Sequence, residues 1–230
     1  MDLRTVGETG STNTDLLALA RAGAPEGTWL RAERQTGGRG RQGRTWVSPA
    51  GNLYASTLVR LTPVDPPAPT LALVAAVAMH QAISTLGPGQ ALQIKWPNDI
   101  LSGPAKLAGI LLERANDAVV IGFGVNLAHH PDGLERPVTS LAALTGTAPD
   151  PGAFLDVLAD AFARWLGTWR RRGLAPVRER WLASAHPRGT ALSTPAGVGL
   201  FEGLDETGAL RLRLADGSVR VIHAGDVFLI

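Results

Sequence analysis

Thr36-Gly37-Gly38-Arg39-Gly40-Arg41-Gln42-Gly43-Arg44-Thr45-Trp46 alternates glycine with arginine just ahead of a tryptophan. Glycine tolerates φ > 0, so such backbone can turn its N–H groups inward and form an anion-binding concavity. Arginine adds planar, permanently charged forks suited to phosphate and carboxylate. Upstream, Thr28 to Arg34 alternates polar and apolar side chains and reads as a strand; Asn52 to Val59 downstream reads as another. The Gly/Arg segment therefore joins two strands. At about fifteen residues it exceeds an ordinary hairpin loop, and loops of that length are usually functional or disordered. Gln35 sits at the strand end, where ligands tend to gather in sheet proteins. Alone, the stretch is equally consistent with a solvated surface loop or an Arg/Gly nucleic-acid segment.

Working outward, Leu3 to Val6 is a short apolar start. Ser11-Thr12-Asn13 precedes Leu16, Leu17, Leu19 and Ala20 at helical spacing. Any of the three could cap that helix, and hydroxyls not used for capping could bind a polar ligand group there. Thr70 to Leu86 is apolar on nearly all sides, which predicts a buried helix. Gln93 to Trp96 is a short strand running into Pro97-Asn98-Asp99-Ile100, where Pro97 ends regular pairing. Lys106-Leu107-Ala108-Gly109-Ile110-Leu111-Leu112-Glu113 is a strand with a lysine at its mouth. Ala118 to Val125 pairs with it through the Asn116-Asp117 turn and ends at Asn126. Gly122 and Gly124 inside that strand imply close approach by backbone or ligand, or simple tight packing.

Pro137 to Leu144 reads as a short helical connection. Asp150 to Arg172 is an amphipathic helix with Phe154, Leu158, Phe162, Trp165 and Trp169 on one stripe, followed by a short helix over Val177 to Ala183. Composition shifts at His186. Beyond it, Leu210, Leu212 and Leu214 alternate with Arg211 and Arg213 between turn signals, predicting a small β-barrel that leans on the main domain. The expected fold class is α+β: a mixed sheet with helices packed on it in residues 1–185, plus a small C-terminal SH3-like β-barrel in residues 186–230.

Net charge is only +2, so a nucleic-acid-coating role gets no global support; the basic residues are local and suit an anionic small molecule. Cysteine is absent, which removes disulfides, thiolate chemistry and Cys-based metal sites. No signal-peptide pattern opens the chain, and Leu71 to Met79 is too short to span a bilayer, so a cytoplasmic location is expected.

Four stretches in order and spacing make the chain similar to biotin protein ligases. They are Gly38 to Trp46, Lys95 to Asp99, Lys106 to Glu113, and Gly122-Phe123-Gly124-Val125-Asn126-Leu127. The resemblance covers nearly the whole chain. It implies the biotin–lipoate ligase catalytic fold, related to class II aminoacyl-tRNA synthetases, and the monofunctional type without DNA binding or membrane association; a homodimer is left open. The implied reaction activates biotin with ATP as biotinyl-5′-AMP and transfers it to a lysine of a biotin carboxyl carrier protein. ATP, biotin and Mg²⁺ are thus the implied ligands, with Mg²⁺ carried mainly by ATP and its protein ligands unknown. The resemblance makes Lys106, Arg41 and Arg39 the catalytic candidates. It assigns biotin to Ser11, Thr12, Asn13, Gln35, Gly38, Arg39, Gly40, Arg41, Lys106 and Gly109. The nucleotide falls to Arg41, Arg44, Trp46, Asn98, Asp99, Lys106 and Asn126. Asp99 is also the candidate general base for the acceptor lysine. The competing readings are a lipoate–protein ligase, a non-catalytic biotin-binding regulator and an RNA-binding module.

Overall fold

In the computed structural model, which describes residues 2–87, 89 and 91–230, the chain begins with β1 (Asp2–Thr9), α1 (Thr12–Arg21), β2 (Thr28–Gln35) and β3 (Leu53–Arg60). Next come α2 (Leu71–Leu86), β4 (Leu92–Lys95), β5 (Asp99–Ser102), β6 (Ala105–Ala115) and β7 (Ala118–Val125). The helices α3 (Leu141–Thr145), α4 (Pro151–Arg172) and α5 (Ala175–Ala183) follow. The strands β8 (Ala191–Thr194), β9 (Gly197–Leu204), β10 (Leu210–Arg213), β11 (Val219–Ile222) and β12 (Phe228–Leu229) close the chain. β1 to β7 make one mixed sheet in the order β1-β2-β3-β7-β6-β5-β4, parallel at β1–β2 and antiparallel elsewhere. β8 to β12 make a second, antiparallel sheet in the order β11-β10-β9-β8-β12. The expected mixed sheet with packed helices and small terminal β module is what the chain forms.

The two faces of the large sheet are covered unequally. One carries α2 and α4. α2 is buried almost throughout, as its uninterrupted apolar sequence predicts, and α4 packs on it with Phe154, Leu158, Phe162 and Trp169 inward. Asp150 caps α4 by accepting from the Ala153 N–H, and Trp169 Nε1 donates to Thr70 Oγ1 at 2.8 Å. Trp165 is only half-buried and donates to Gln81 at 2.9 Å. Trp29, Phe123 and Phe162 form an aromatic cluster with centroids 5.7–6.0 Å apart. Among the described helices the other face carries only α1, on a small cluster of Leu16, Ala20, Leu30, Leu58, Ala118 and Val120.

Three local expectations change. The N-terminal segment is a full eight-residue edge strand, largely exposed, rather than a short apolar start. Pro137 to Val138 are not helical: Lys106 N–H donates to Pro137 O, Thr139 N–H donates to Lys106 O, and the helix begins only at Leu141. The close approach at Gly122 and Gly124 is by side chains, not by backbone. A Cβ on Gly122 would lie 2.3 Å from Asn13 Oδ1, and one on Gly124 would lie 2.8 Å from the Trp46 indole.

The β module rests on α5, with Trp181 and Phe201 at 6.4 Å. The chain leaving α5 also hydrogen-bonds the sheet edge, where Ile94 N–H donates to Ser184 O at 2.7 Å. His186 lies buried at this junction. Burial, helped by the nearby Lys95 charge, pulls its pKa down to about 4. The unfolded chain's His binds its proton near pH 6.5, so between those values the unfolded state holds more protons and folding weakens as pH falls. Denaturant titrations should show about 3 kcal/mol less stability at pH 4 than at pH 7 from this group, and a His186→Gln variant should lose that share of the slope; parallel slopes would refute it. Gly122→Ala should expel Asn13 and destabilise by about 2–4 kcal/mol. Gly7→Ala, where an added Cβ meets nothing within 4 Å, is the control expected to leave the denaturation midpoint unchanged.

Candidate active site

α1 ends short of the sheet's far rim, leaving a cleft of about 610 Å³ on its own face of the sheet. Every residue the sequence singled out lines this cleft except Gly38. Gly38 instead closes the loop: its carbonyl accepts from the Trp46 N–H, and a Cβ there would meet Ser48 Oγ and Trp46 O at 2.5 Å. The floor is the cross-strand pair Gly109–Gly124, and the Trp46 indole lies against both. Side chains on either glycine would displace the indole, so the floor must be bare.

One end of the cleft is lined by hydroxyls and amides at the start of α1. Ser11 occupies the N-cap position of α1 with extended backbone, but its hydroxyl caps nothing. Gln35 Oε1 accepts from the Thr12 N–H at 2.9 Å and the Thr12 hydroxyl at 3.1 Å, and Gln35 Nε2 donates to Ser48 at 3.2 Å. That leaves one Gln35 amide hydrogen and the Ser11 hydroxyl available to a ligand. Asn13 differs. Its Oδ1 accepts from Ser56, and its Nδ2 donates to Leu111 O at 3.2 Å and Glu113 at 2.8 Å. Both amide hydrogens are engaged, so Asn13 serves as an anchor beneath the site. Tyr54, which donates to Pro49 O at 2.9 Å, also lines the cleft; burial pushes its hydroxyl up to about 12.

The other end is cationic. The Gly/Arg loop is folded by a bridge between Arg39 and Thr45, with Gln42 at φ 57° in the left-handed region. Arg39 instead turns toward the start of α1, donating to Thr14 at 2.6 Å and lying 3.9 Å from Glu113. Arg41 donates to Gly225 O at 3.2 Å and to Asn98 Oδ1 at 3.4 Å. Arg44 makes a bidentate pair with Asp226 at 2.8 and 2.9 Å. The terminal module thus supplies a carboxylate to the loop arginines and part of the cleft wall through Asp226 to Leu229, and Phe228 lies 3.7 Å from the Arg136 guanidinium. Asn98 Nδ2 donates to Ile110 O and Asn126 Nδ2 donates to Thr139 O, so both amides brace the walls.

Lys106 reaches the cleft through a β-bulge. Asp99 pairs with Gly109 and Ile100 with Ala108, but Leu101 pairs with Lys106, so Leu107 is an extra residue in β6. On a regular strand Lys106 and Gly109, three apart, would face opposite sides of the sheet; the bulge brings them to one. Lys106 Nζ lies 2.6 Å from Asp99 Oδ1 and 5.3 Å from the Trp46 ring centre. Lys95 Nζ donates to Asp99 Oδ2 at 3.2 Å. Burial pushes the Asp99 carboxyl up, but the two ammonium groups outweigh it and hold the group below the usual carboxylate range. A carboxylate held that low is a poor proton acceptor, which counts against Asp99 as the general base. Burial lowers Lys95 despite Asp99.

Lys95, Ser56, Glu113, Arg136 and Asp226 were not assigned roles from sequence. Lys95 had a signal, since it precedes Trp96-Pro97-Asn98-Asp99 at a strand end. Asp226 had none, because it stands 182 residues from Arg44.

With this geometry in hand, the comparisons with known proteins agree on one family. Residues 8–126 match the Biotin/lipoate A/B protein ligase family, and residues 193–230 match the Biotin protein ligase C terminal domain. The chain is 44% identical to a biotin–[acetyl-CoA-carboxylase] ligase of Paracoccus denitrificans, over 96% of this chain and 97% of that one. It is 37% identical to the ligase of the same description from Mycobacterium tuberculosis, over 98% and 88% of the two chains. In fold it superposes on the biotin protein ligase of Aquifex aeolicus in complex with biotin and ATP, with a TM-score of 0.89 at 24% identity, covering 100% of this chain and 99% of the other. A bare glycine floor, a capless helix N-terminus and an arginine loop thus occur together in a chain that belongs to the biotin/lipoate A/B protein ligase family, among its biotin protein ligases.

Proposed function

We propose that the cleft activates biotin with ATP as biotinyl-5′-AMP and then transfers it to a lysine of a biotin carboxyl carrier domain. The observation carrying this reading is the division of one cleft into a neutral amide–hydroxyl end at Ser11, Thr12 and Gln35 and a cationic end at Arg41, Arg44 and Lys106, with Trp46 between. Biotin has matching parts: a neutral ureido ring, an apolar chain and a carboxylate. In the first step a carboxylate oxygen attacks the α-phosphorus and pyrophosphate leaves. In the second the acceptor amine attacks the acyl carbon, AMP leaves with the bonding pair, and the amine loses a proton to solvent. Both steps gather charge on phosphate oxygens, so preorganised cations are the main requirement. Lys106 bridges the biotin carboxylate and the α-phosphate, while Arg39 and Arg41 close over the acyl phosphate. Arg44, Asn98 and Asn126 stand on the nucleotide side.

The described residues do not fit a protein-held Mg²⁺. Asp99 is held between two lysines and Asp226 by two arginines, and no other described carboxylate converges with them. Mg²⁺ therefore enters on the triphosphate, as its preference for phosphate and water allows.

The test is pyrophosphate release with ATP and biotin, followed by label transfer to a carrier domain. Biotin should support release and lipoate should not; equal or greater activity with lipoate would hand the site to the competing reading. Lys106→Met should melt within a few degrees of the parent, since Lys95 still partners Asp99. Its single-turnover adenylate formation should slow about 10²-fold or more. Parental adenylation in that variant would remove Lys106 from the chemistry.

A further inference from the structure

Asp99 is nearly fully enclosed and faces two ammonium groups that hold it in different ways. Lys95, its cross-strand partner on β4, donates a proper hydrogen bond to Oδ2, and both side chains are 12% exposed. Lys106 on β6 is closer, at 2.6 Å from Oδ1, and its side chain is 30% exposed to the cleft. One contact is buried, and the other stands at the cleft surface. One further cation bears on Lys95, Arg136 from the segment after β7, while His186, from the segment after α5, is neutral above about pH 4. Among the described residues, Asp99 is the carboxylate that offsets this charge on Lys95.

We propose that Lys95 is a positioning residue for adenylation: by remaining with Asp99 it lets Lys106 leave that carboxylate for the substrate anions. This rests on the adenylation reading above. A buried carboxylate stripped of its only partner is strongly disfavoured. If Lys106 were that only partner, its move onto carboxylate and α-phosphate would strand Asp99, and the pair would resist opening. Lys95 removes the obstacle, because Asp99 keeps a hydrogen-bonded counter-ion throughout. Asp99 in turn holds Lys106 at the cleft until the anions arrive. Lys95 acts through Asp99 and touches no reacting atom.

The experiment is a double-mutant cycle in single-turnover adenylate formation. Lys95→Met should slow the step about 10-fold or more, with the KM for biotin little changed, and Lys95→Arg should restore most of the rate. In an Asp99→Asn background the same Lys95→Met change should alter the rate by less than about twofold, because no carboxylate remains to be held. Equal losses in both backgrounds would put Lys95 on the ligand and overturn the proposal, as would a Lys95→Met variant running at the parental rate. A second readout needs no turnover: the Asp99 carboxyl ¹³C titration should move to higher pH in Lys95→Met, and an unmoved titration overturns the assignment. Should the parent chain release no pyrophosphate with biotin, the function fails by itself and this titration alone decides the role of Lys95. Lys95→Gln carries the same comparisons if the Met variant does not fold.

Discussion

The site exists because a ten-residue helix is asked to cover a sheet with eight-residue strands. At about 1.5 Å per residue α1 spans about 15 Å, while β3 and β7 run about 26 Å at about 3.3 Å per residue. The uncovered length of that face cannot be apolar and exposed without inviting association. The chain resolves this by placing glycines on the floor and laying Trp46 across them. Helix length, bare floor and tryptophan cover are one solution to one packing problem. The helix N-terminus and its unused Ser11 hydroxyl follow from it, since the point where α1 stops is the point where the cleft begins.

The second constraint is electrostatic. The described cleft lining includes three loop arginines, Arg136 and two lysines. Held together with nothing between them they would repel and swing outward. Asp99 and Asp226 prevent this, one from the large sheet and the other from the terminal module. Asp99 belongs to β5 in the large sheet, and Asp226 precedes β12 in the terminal module. The module therefore contributes to the site electrostatically, through Asp226 with Arg41 and Arg44, as well as by packing Phe201 on Trp181.

Much of this was legible in the sequence, for identifiable reasons. α2 and α4 announce themselves by hydrophobic periodicity. β6 and β7 announce themselves by an apolar run split at Asn116-Asp117, where Asn116 adopts φ 56°. The Gly/Arg loop was visible because glycine and arginine have few other reasons to alternate. Three things were not visible. Asn13 reads as a ligand contact until Ser56, Leu111 and Glu113 are seen to take its amide, and those partners lie 43 to 100 residues away. The segment before α3 has helical-looking composition but is captured by the Lys106 backbone. Asp226 is an ordinary acidic residue beside a turn until the two sheets are docked. In each case a contact distant in sequence overrides or completes a local preference, which single-chain periodicity does not encode.

The extra residue at Leu107 gives the site a dependence on counting. Leu107 and Ala108 together sit opposite Ile100, and that two-against-one step brings Lys106 to the same face as Asp99 and Gly109. The same residues paired without that step would turn the ammonium into the hydrocarbon beneath α2, because side chains three apart on a regular strand face opposite sides; a chain one residue shorter would instead pair regularly and keep the lysine on the cleft face. Substitution alters such a site by degrees; a slip of register would invert it. Along this short reach of β6, register is inherited information in the same sense as residue identity.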